Sequence, residues 1–360
     1  MPYNDFIKIG TRVISITDPS YFIADIAANH DGDFERAKSL IFLAKEAGAD
    51  AVKFQHFKAE KIVSDFGFRA LGSQLSHQAN WDKSVFEIYR AHELNRDWSL
   101  ALLQAAQSAG IDFLTTPYDF EAVDLLDAYI PAYKIGSGDI TWIELILYVA
   151  RRNKPIFLAT GASTMDDVER AVKAILSLNN KLVLMQCNTN YTGSLENFKH
   201  INLNVLRSYA VKFPGITLGL SDHSPGHATV LGAITLGARV IEKHFTDDNF
   251  RTGPDHSFSM TPKSWREMVD RSRELEAALG DGVKRIEENE KHTAIVQQRC
   301  LRLAHSLPAG AQLTEADLEV LRPAQVDALR PFELATALGR RLKVARKSGE
   351  AISLSDLEPS

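Results

Sequence analysis

Short apolar runs alternate with amphipathic stretches along the first 260 or so residues. The runs fall at 21–27, 51–56, 112–116, 132–136, 155–159, 181–187, 216–220 and 239–244. Between them, apolar positions recur three or four apart over 33–47, 121–129, 165–178 and 227–236, the spacing that gathers them on one face of a helix. Runs apolar on both faces suit parallel strands covered by helices. Repeated eight times, the unit predicts an α/β fold of the (β/α)8 TIM-barrel type, and the count favours closure over a doubly wound open sheet. The stretch 57–80 is too long for a plain connection and is expected to serve as a lid or subunit contact.

Beyond a last helix at 264–279 the pattern changes. Gly280-Asp281-Gly282 is a stop signal, 286–292 reads as a short charged linker, and short strands and turns fill the rest. The expected organisation is a catalytic barrel over 1–285, a linker over 286–292 and a small β-rich domain over 293–360. Such a small domain is marginal alone and is expected to lean on another surface.

Composition narrows the function classes. Among the 360 residues, 41 Lys and Arg stand against 46 Asp and Glu, a net charge of −5, which offers no basic footprint for nucleic acid. No segment reaches the ~18 consecutive apolar residues of a membrane span. The first 16 residues lack the pattern of a secretion signal. Cys187 and Cys300 are the only cysteines, which suits a reducing compartment rather than a disulfide framework. A cytoplasmic protein without nucleic-acid or membrane partners is expected.

In a barrel, chemistry gathers at the C-terminal ends of the strands and the loops after them. Those positions hold Asp25, Lys53 and Gln55, Thr116, Lys134 with Gly136-Ser137-Gly138-Asp139, Thr160-Gly161-Ala162-Ser163, Tyr191, Ser221-Asp222-His223, Glu242-Lys243-His244 and Asp255. Two subsets stand out. His223 and His244 end adjacent strands in an oxygen-rich mouth, which suits a divalent ion with open positions. Lys53 and Lys134, read as pointing inward from neighbouring strands, would be costly if left unpaired. With the two glycine-rich turns, whose N–H groups can cradle phosphate or carboxylate, they point to a small doubly charged substrate. No Walker motif, Gly-x-Gly-x-x-Gly or Gly-x-Ser-x-Gly occurs, which counts against nucleotide binding and serine hydrolysis.

The segments Ile26-Ala27-Ala28-Asn29-His30-Asp31-Gly32, Tyr133-Lys134-Ile135-Gly136-Ser137-Gly138, Gly219-Leu220-Ser221-Asp222-His223, Glu242-Lys243-His244-Phe245-Thr246 and Gly253-Pro254-Asp255-His256 resemble the sialic acid (N-acetylneuraminate) synthase family. The similarity runs from about residue 22 to the C-terminus, because the small domain resembles that family's antifreeze-like (SAF) domain. The resemblance implies a transferase that condenses phosphoenolpyruvate with an N-acetylated hexose, of the N-acetylmannosamine type, and releases phosphate. It implies His223 and His244 as metal ligands, with Mn2+ the expected ion and Mg2+ or Co2+ the alternatives. Lys53, Gln55, Thr116, Lys134 and Ser137 fall where the family holds phosphoenolpyruvate. Tyr191, Glu242 and Asp255 fall where it lines the pocket near metal and sugar, Asn80 matches a sugar-side residue, and Ser221 is a further substrate-binding candidate. Asp25 is the candidate for moving protons. Arg322 matches an arginine that the small domain of one subunit inserts into the other's barrel, so a domain-swapped homodimer is implied.

Several positions depart from the family. Asp25 and Asp139 stand where glutamate is common, Ala159 replaces a serine, and 187–193 lacks the usual Tyr-Pro. The alternative products are legionaminate or pseudaminate, from a diacetamido-trideoxyhexose. An inactive sugar-binding barrel is the remaining alternative.

Overall fold

The apolar runs become the eight parallel strands of a closed barrel. The computed structural model describes residues 6–73, 78, 79 and 81–359. Two short antiparallel strands, β1 (Phe6–Ile9) and β2 (Arg12–Ser15), come first. The barrel then follows as β3 (Tyr21–Asp25), β4 (Ala51–His56), β5 (Asp112–Pro117), β6 (Tyr133–Ile135), β7 (Ile156–Ala159), β8 (Leu182–Cys187), β9 (Thr217–Asp222) and β10 (Ala238–His244). They close in the order β10-β3-β4-β5-β6-β7-β8-β9. A run apolar on both faces is needed because alternate side chains enter different cores. Phe22, Val52, Phe113, Ile156, Leu184 and Ile241 pack outward under the helices. Tyr21, Ile23, Ala51, Leu114, Phe157, Val183, Met185 and Val240 fill the barrel interior.

The hairpin β1–β2 has no counterpart in the eight-fold pattern. Its Ile7, Ile9 and Ile14 are fully buried against the interior side chains at the strands' N-terminal ends, so it plugs that end of the barrel. Helix starts are fixed locally. Asp33 caps Phe34–Glu46, Thr164 forms a capping box with Asp167 ahead of Met165–Leu176, and Thr261 precedes Pro262 at the first turn of Pro262–Leu279. Each supplies an oxygen to N–H groups the helix leaves unpaired.

The long stretch after β4 contains the short helices Ala59–Ile62 and Asp65–Ala70. Asn80 lies outside the described residues. Among those described, no helix is long and apolar enough to cross a membrane.

The chain divides into two compact units after Gly280. In the second, the helix Lys291–Gln297 begins inside the span read as a linker. Antiparallel β11 (Cys300–Leu303) and β12 (Leu318–Leu321) pack over a core of Leu301, Leu303, Leu313, Leu329, Leu342 and Ile352. Arg322 is exposed at the end of β12.

Candidate active site

Above the apolar interior the same inward positions turn ionic. The side chains stacked over Ala51, Ala132 and Val240 are Lys53, Lys134 and Glu242, two residues further along their strands. Lys53 and Lys134 do not come from neighbouring strands: β5 lies between β4 and β6. A layer of a barrel takes its side chains from alternate strands, and this places Lys53, Lys134 and Glu242 at one level.

Neither ammonium group stands unpaired. Lys53 Nζ donates to Asp25 Oδ2 at 2.7 Å and to Thr116 Oγ1 at 3.2 Å, with Glu242 Oε1 at 3.7 Å. Lys134 Nζ donates to Glu242 Oε1 at 2.6 Å and to Ser221 Oγ at 3.3 Å. Gln55 Nε2 donates to Asp25 Oδ2 at 3.1 Å. Burial by itself would push Asp25 up, but Lys53, His244 and Lys134 outweigh it and hold the carboxyl at about 2. Burial likewise opposes the charge on Lys53, and Asp25 and Glu242 overcome it, raising that ammonium above its ordinary value. The protein therefore meets the cost of the buried cations with its own carboxylates. Glu242 Oε2, however, is buried without a partner.

Next to this floor sit two imidazoles with ring centroids 5.2 Å apart. His223 Nδ1 donates to the Asn188 carbonyl at 2.9 Å. That bond leaves Nε2 with a lone pair, since burial and His244 push His223 down to about 3 and keep it neutral. His244 Nδ1 is buried without a hydrogen-bond partner, and Asp255 Oδ2 lies 3.8 Å away, beyond bonding distance. One imidazole held by a backbone carbonyl and another with an orphaned nitrogen fit a divalent ion. Among the described residues, no group of three or more His, Cys, Asp or Glu is arranged to hold a metal, so His223 and His244 are the two residues that would hold one. The Tyr191 ring stacks 4.2 Å from that of His223.

Loops fix the rest of the rim. Ala28 N donates to Asp255 Oδ2 at 3.1 Å, tying the loop after β10 to the loop after β3. Gly161 N donates to Ser137 Oγ at 2.9 Å, which joins the two glycine-rich turns. Glycine is required at 161 because a Cβ there would lie 2.5 Å from Thr189 Cγ2 and 2.9 Å from Ser137 Oγ. Ala27 and Ala162 adopt φ of 46° and 50°, a conformation costly for an L-residue that gathers at functional sites.

The cavity over this floor has a volume of about 400 Å³, within the range of small-molecule sites. Gln55, Ser137, Tyr191, His244 and Asp255 line it as expected. Its far wall of Phe57, Ile62, Trp81, Ile88, Tyr89 and Tyr118 was not anticipated residue by residue, and Asp139, already placed at the rim, lies beside it. Phe57 packs 5.3 Å from Tyr89 and 6.0 Å from Tyr118. Asp139 Oδ2 has no partner, and burial raises the carboxyl to about 6. Tyr118 was within reach of the sequence, being two residues past Thr116. Tyr89 and Ile88 sit on a helix, Val85–Ala91, nearly thirty positions beyond their strand, and nothing in the local pattern connects them to the rim.

The model of the NeuB family matches residues 40–284, and that of the SAF domain matches residues 298–358. The chain belongs to the NeuB family. A relative from this family, the N,N'-diacetyllegionaminic acid synthase of Legionella pneumophila, is 33% identical over 344 residues, covering 94% of each chain. The N-acetylneuraminate-9-phosphate synthase of Mus musculus is 30% identical over 341 residues, covering 94% of this chain and 93% of that one. The crystal structure of the spore coat polysaccharide biosynthesis protein SpsE from Bacillus subtilis matches with a TM-score of 0.64 and 30% identity over 99% of both chains. NeuB-family membership makes this a sialic-acid-type synthase fold with its SAF appendage, and the two synthases it resembles differ in product.

Proposed function

We propose that this NeuB-family member is a cytoplasmic transferase condensing phosphoenolpyruvate with an N-acetylated hexose of the N-acetylmannosamine type to a nonulosonic (sialic) acid, with release of phosphate. The observation that carries the proposal is the meeting, on one barrel rim, of two buried ammonium–carboxylate pairs and two imidazoles with free nitrogens. In the reaction, C3 of phosphoenolpyruvate bonds to the aldehyde carbon of the open-chain sugar. Water adds at C2, and the C2–O bond then breaks, with the electron pair leaving on phosphate.

Lys134 uses two of its three N–H donors within the protein and keeps one for an incoming carboxylate or phosphate. Lys53, Thr116, Gln55 and Ser137 surround the same anion. Holding C3 against the aldehyde turns a bimolecular encounter into a near-attack pair. Asp25, kept ionised by Lys53, is the group that takes up a proton during water addition. His223 and His244 would hold a divalent ion, Mn2+ first and Mg2+ or Co2+ as alternatives, which when bound polarises the aldehyde oxygen. Tyr191, Ser221, Glu242 and Asp255 border the sugar. The proposal includes a homodimer in which Arg322 and Asn80 add sugar contacts, Arg322 from the second copy.

Phosphate release from phosphoenolpyruvate plus sugar, measured with and without Mn2+, tests this. His223→Ala is expected to abolish the Mn2+-dependent release while circular dichroism stays native. Full activity in that variant would remove the metal from the scheme, and no phosphate from the wild type with any N-acetylated hexose would overturn the synthase reading.

A further inference from the structure

Asp222 and Lys243 stand one residue before the two imidazoles, and the function above leaves them unused. They face each other at the last paired position of β9 and β10. Beyond it β9 stops, while His244 stays in register with Asp25 of β3. His223 and His244 therefore sit where the two strands part, past the ladder that joins them. Successive side chains of a strand face opposite ways, so with the imidazoles turned to the cavity Asp222 and Lys243 turn to the helix layer. Both side chains are sealed there, each 1% exposed. Lys243 Nζ donates to Asp222 Oδ2 and to the Ser224 carbonyl. Asp222 Oδ1 accepts from Ser224 N at 3.2 Å, and Oδ2 accepts from Ser224 Oγ at 2.8 Å and from Thr229 Oγ1 at 2.7 Å. The lysine of β10 thus holds the residues on both sides of His223, and the helix Ala228–Thr235 grips the same carboxylate through Thr229.

We propose that Asp222 and Lys243 are positioning residues for the metal: the pair straps the ends of β9 and β10 together from behind and so sets the separation of the His223 and His244 nitrogens. The proposal rests on the metal of the synthase reading and concerns what holds its two imidazoles in place.

Three observations favour a strap over a plain contribution to folding. A buried ion pair is a poor source of stability, because desolvating both charges offsets most of their attraction, whereas its geometry is fixed by the groups around it. Among the described residues no third His, Cys, Asp or Glu completes the group around the imidazoles, so an error in their spacing is not corrected by another side chain. The two rings are also supported unequally. His223 is oriented by the bond from its Nδ1 to the Asn188 carbonyl, but His244 Nδ1 has no hydrogen-bond partner, so the placement of that ring depends more on where its backbone stands. Lys243, its neighbour in the chain, is what ties that backbone to β9.

The test is the Mn2+ affinity of the full chain, read from the electron paramagnetic resonance signal of free Mn2+, beside a urea titration of each protein. Asp222→Asn/Lys243→Met removes both charges and leaves an amide oxygen for Ser224 and Thr229. It is expected to keep a urea midpoint near that of the wild type and to bind Mn2+ about ten- to a hundredfold more weakly, the loss usual when a group that orients a metal ligand is removed. Lys243→Gln, a milder change that shortens the strap, should weaken Mn2+ binding severalfold and replaces the double variant if that one fails to fold. Ile9→Ala is the control, since it loses stability at the other end of the barrel and should bind Mn2+ as the wild type does. Wild-type affinity in the folded double variant would overturn this inference alone. So would an equal loss of affinity in Ile9→Ala, because lowered stability would then account for it. Failure of the wild type to bind Mn2+ would remove the metal from the synthase reading and this inference with it.

Discussion

The two ends of the barrel are built by the same rule and filled with opposite chemistry. At the N-terminal end the inward positions are Tyr21, Ala51, Ala132 and Val240, sealed by Ile7, Ile9 and Ile14 of the hairpin. Two to four residues along the strands the inward positions are Asp25, Lys53, Lys134, Glu242 and His244, all nearly inaccessible to water. The first set stabilises by removing apolar surface from water. The second set costs stability, because its charges are desolvated and only partly repaid by pairing. This NeuB-family chain thus keeps its apolar packing at one end and its buried ionic groups at the other, and each end can be disturbed with a different expected signature.

The largest effect is expected at the ionic end. Lys134→Met leaves Glu242 buried beside Lys53 alone, and breaking such a pair costs about 3–5 kcal/mol. If the proposed reaction holds, phosphate release should fall by about a thousandfold or more, because an electrostatic contact to the reacting anion would be lost. The double variant Lys134→Met/Glu242→Leu separates the two roles. It is expected to regain most of the stability in a urea titration and none of the activity. A double variant as unstable as the single one would mean that the pair holds the fold together.

At the apolar end, Ile9→Ala should cost about 2–4 kcal/mol, the range for truncating a buried aliphatic side chain. Ile9 is fully buried under the barrel, far along the strands from the ionic layer. The folded fraction should therefore keep the wild-type KM for phosphoenolpyruvate and the wild-type kcat. A raised KM with unchanged melting would contradict the division of labour between the two ends.

Much of this division was legible in the chain. All eight strands lie within a few residues of the apolar runs, because a barrel strand must be apolar on both faces and the signal is strong. The rim residues followed from strand ends alone. The hairpin was missed because its strands are four residues each, although Gly10, at φ 55° between two alternating quartets, is a readable turn. Lys53 and Asp25 sit in register on the adjacent strands β4 and β3, while the pairing of Lys134 with Glu242 needed the two-residue alternation carried round the barrel to alternate strands. The aromatic wall could not be read. Its Ile88 and Tyr89 reach the cavity through a tertiary excursion that leaves no periodic trace, whereas Phe57 and Tyr118 directly follow strand ends.

The smallest effect concerns Asp139, whose Oδ2 is buried without a partner. Its carboxyl titrates near 6 in the folded chain because burial disfavours the charge, against roughly 3.9 in an unfolded chain. The sign follows from which state binds more protons. Below about pH 4 the group is protonated in both states and costs nothing. As pH rises towards 6 the unfolded state has already released the proton while the folded state still holds it, so stability falls; above 6 the penalty is complete. At about 1.4 kcal/mol per pKa unit, reduced for its position at the edge of the cavity, the penalty is about 2 kcal/mol. Asp139→Asn should therefore be more stable than the wild type by that amount at pH 8 and equal to it near pH 4, in paired urea titrations. A difference independent of pH would mean that the carboxylate is not desolvated. A difference of the opposite sign would mean that a cation reaches it in solution. In either case the ionic end would be better compensated than the contrast between the two ends requires.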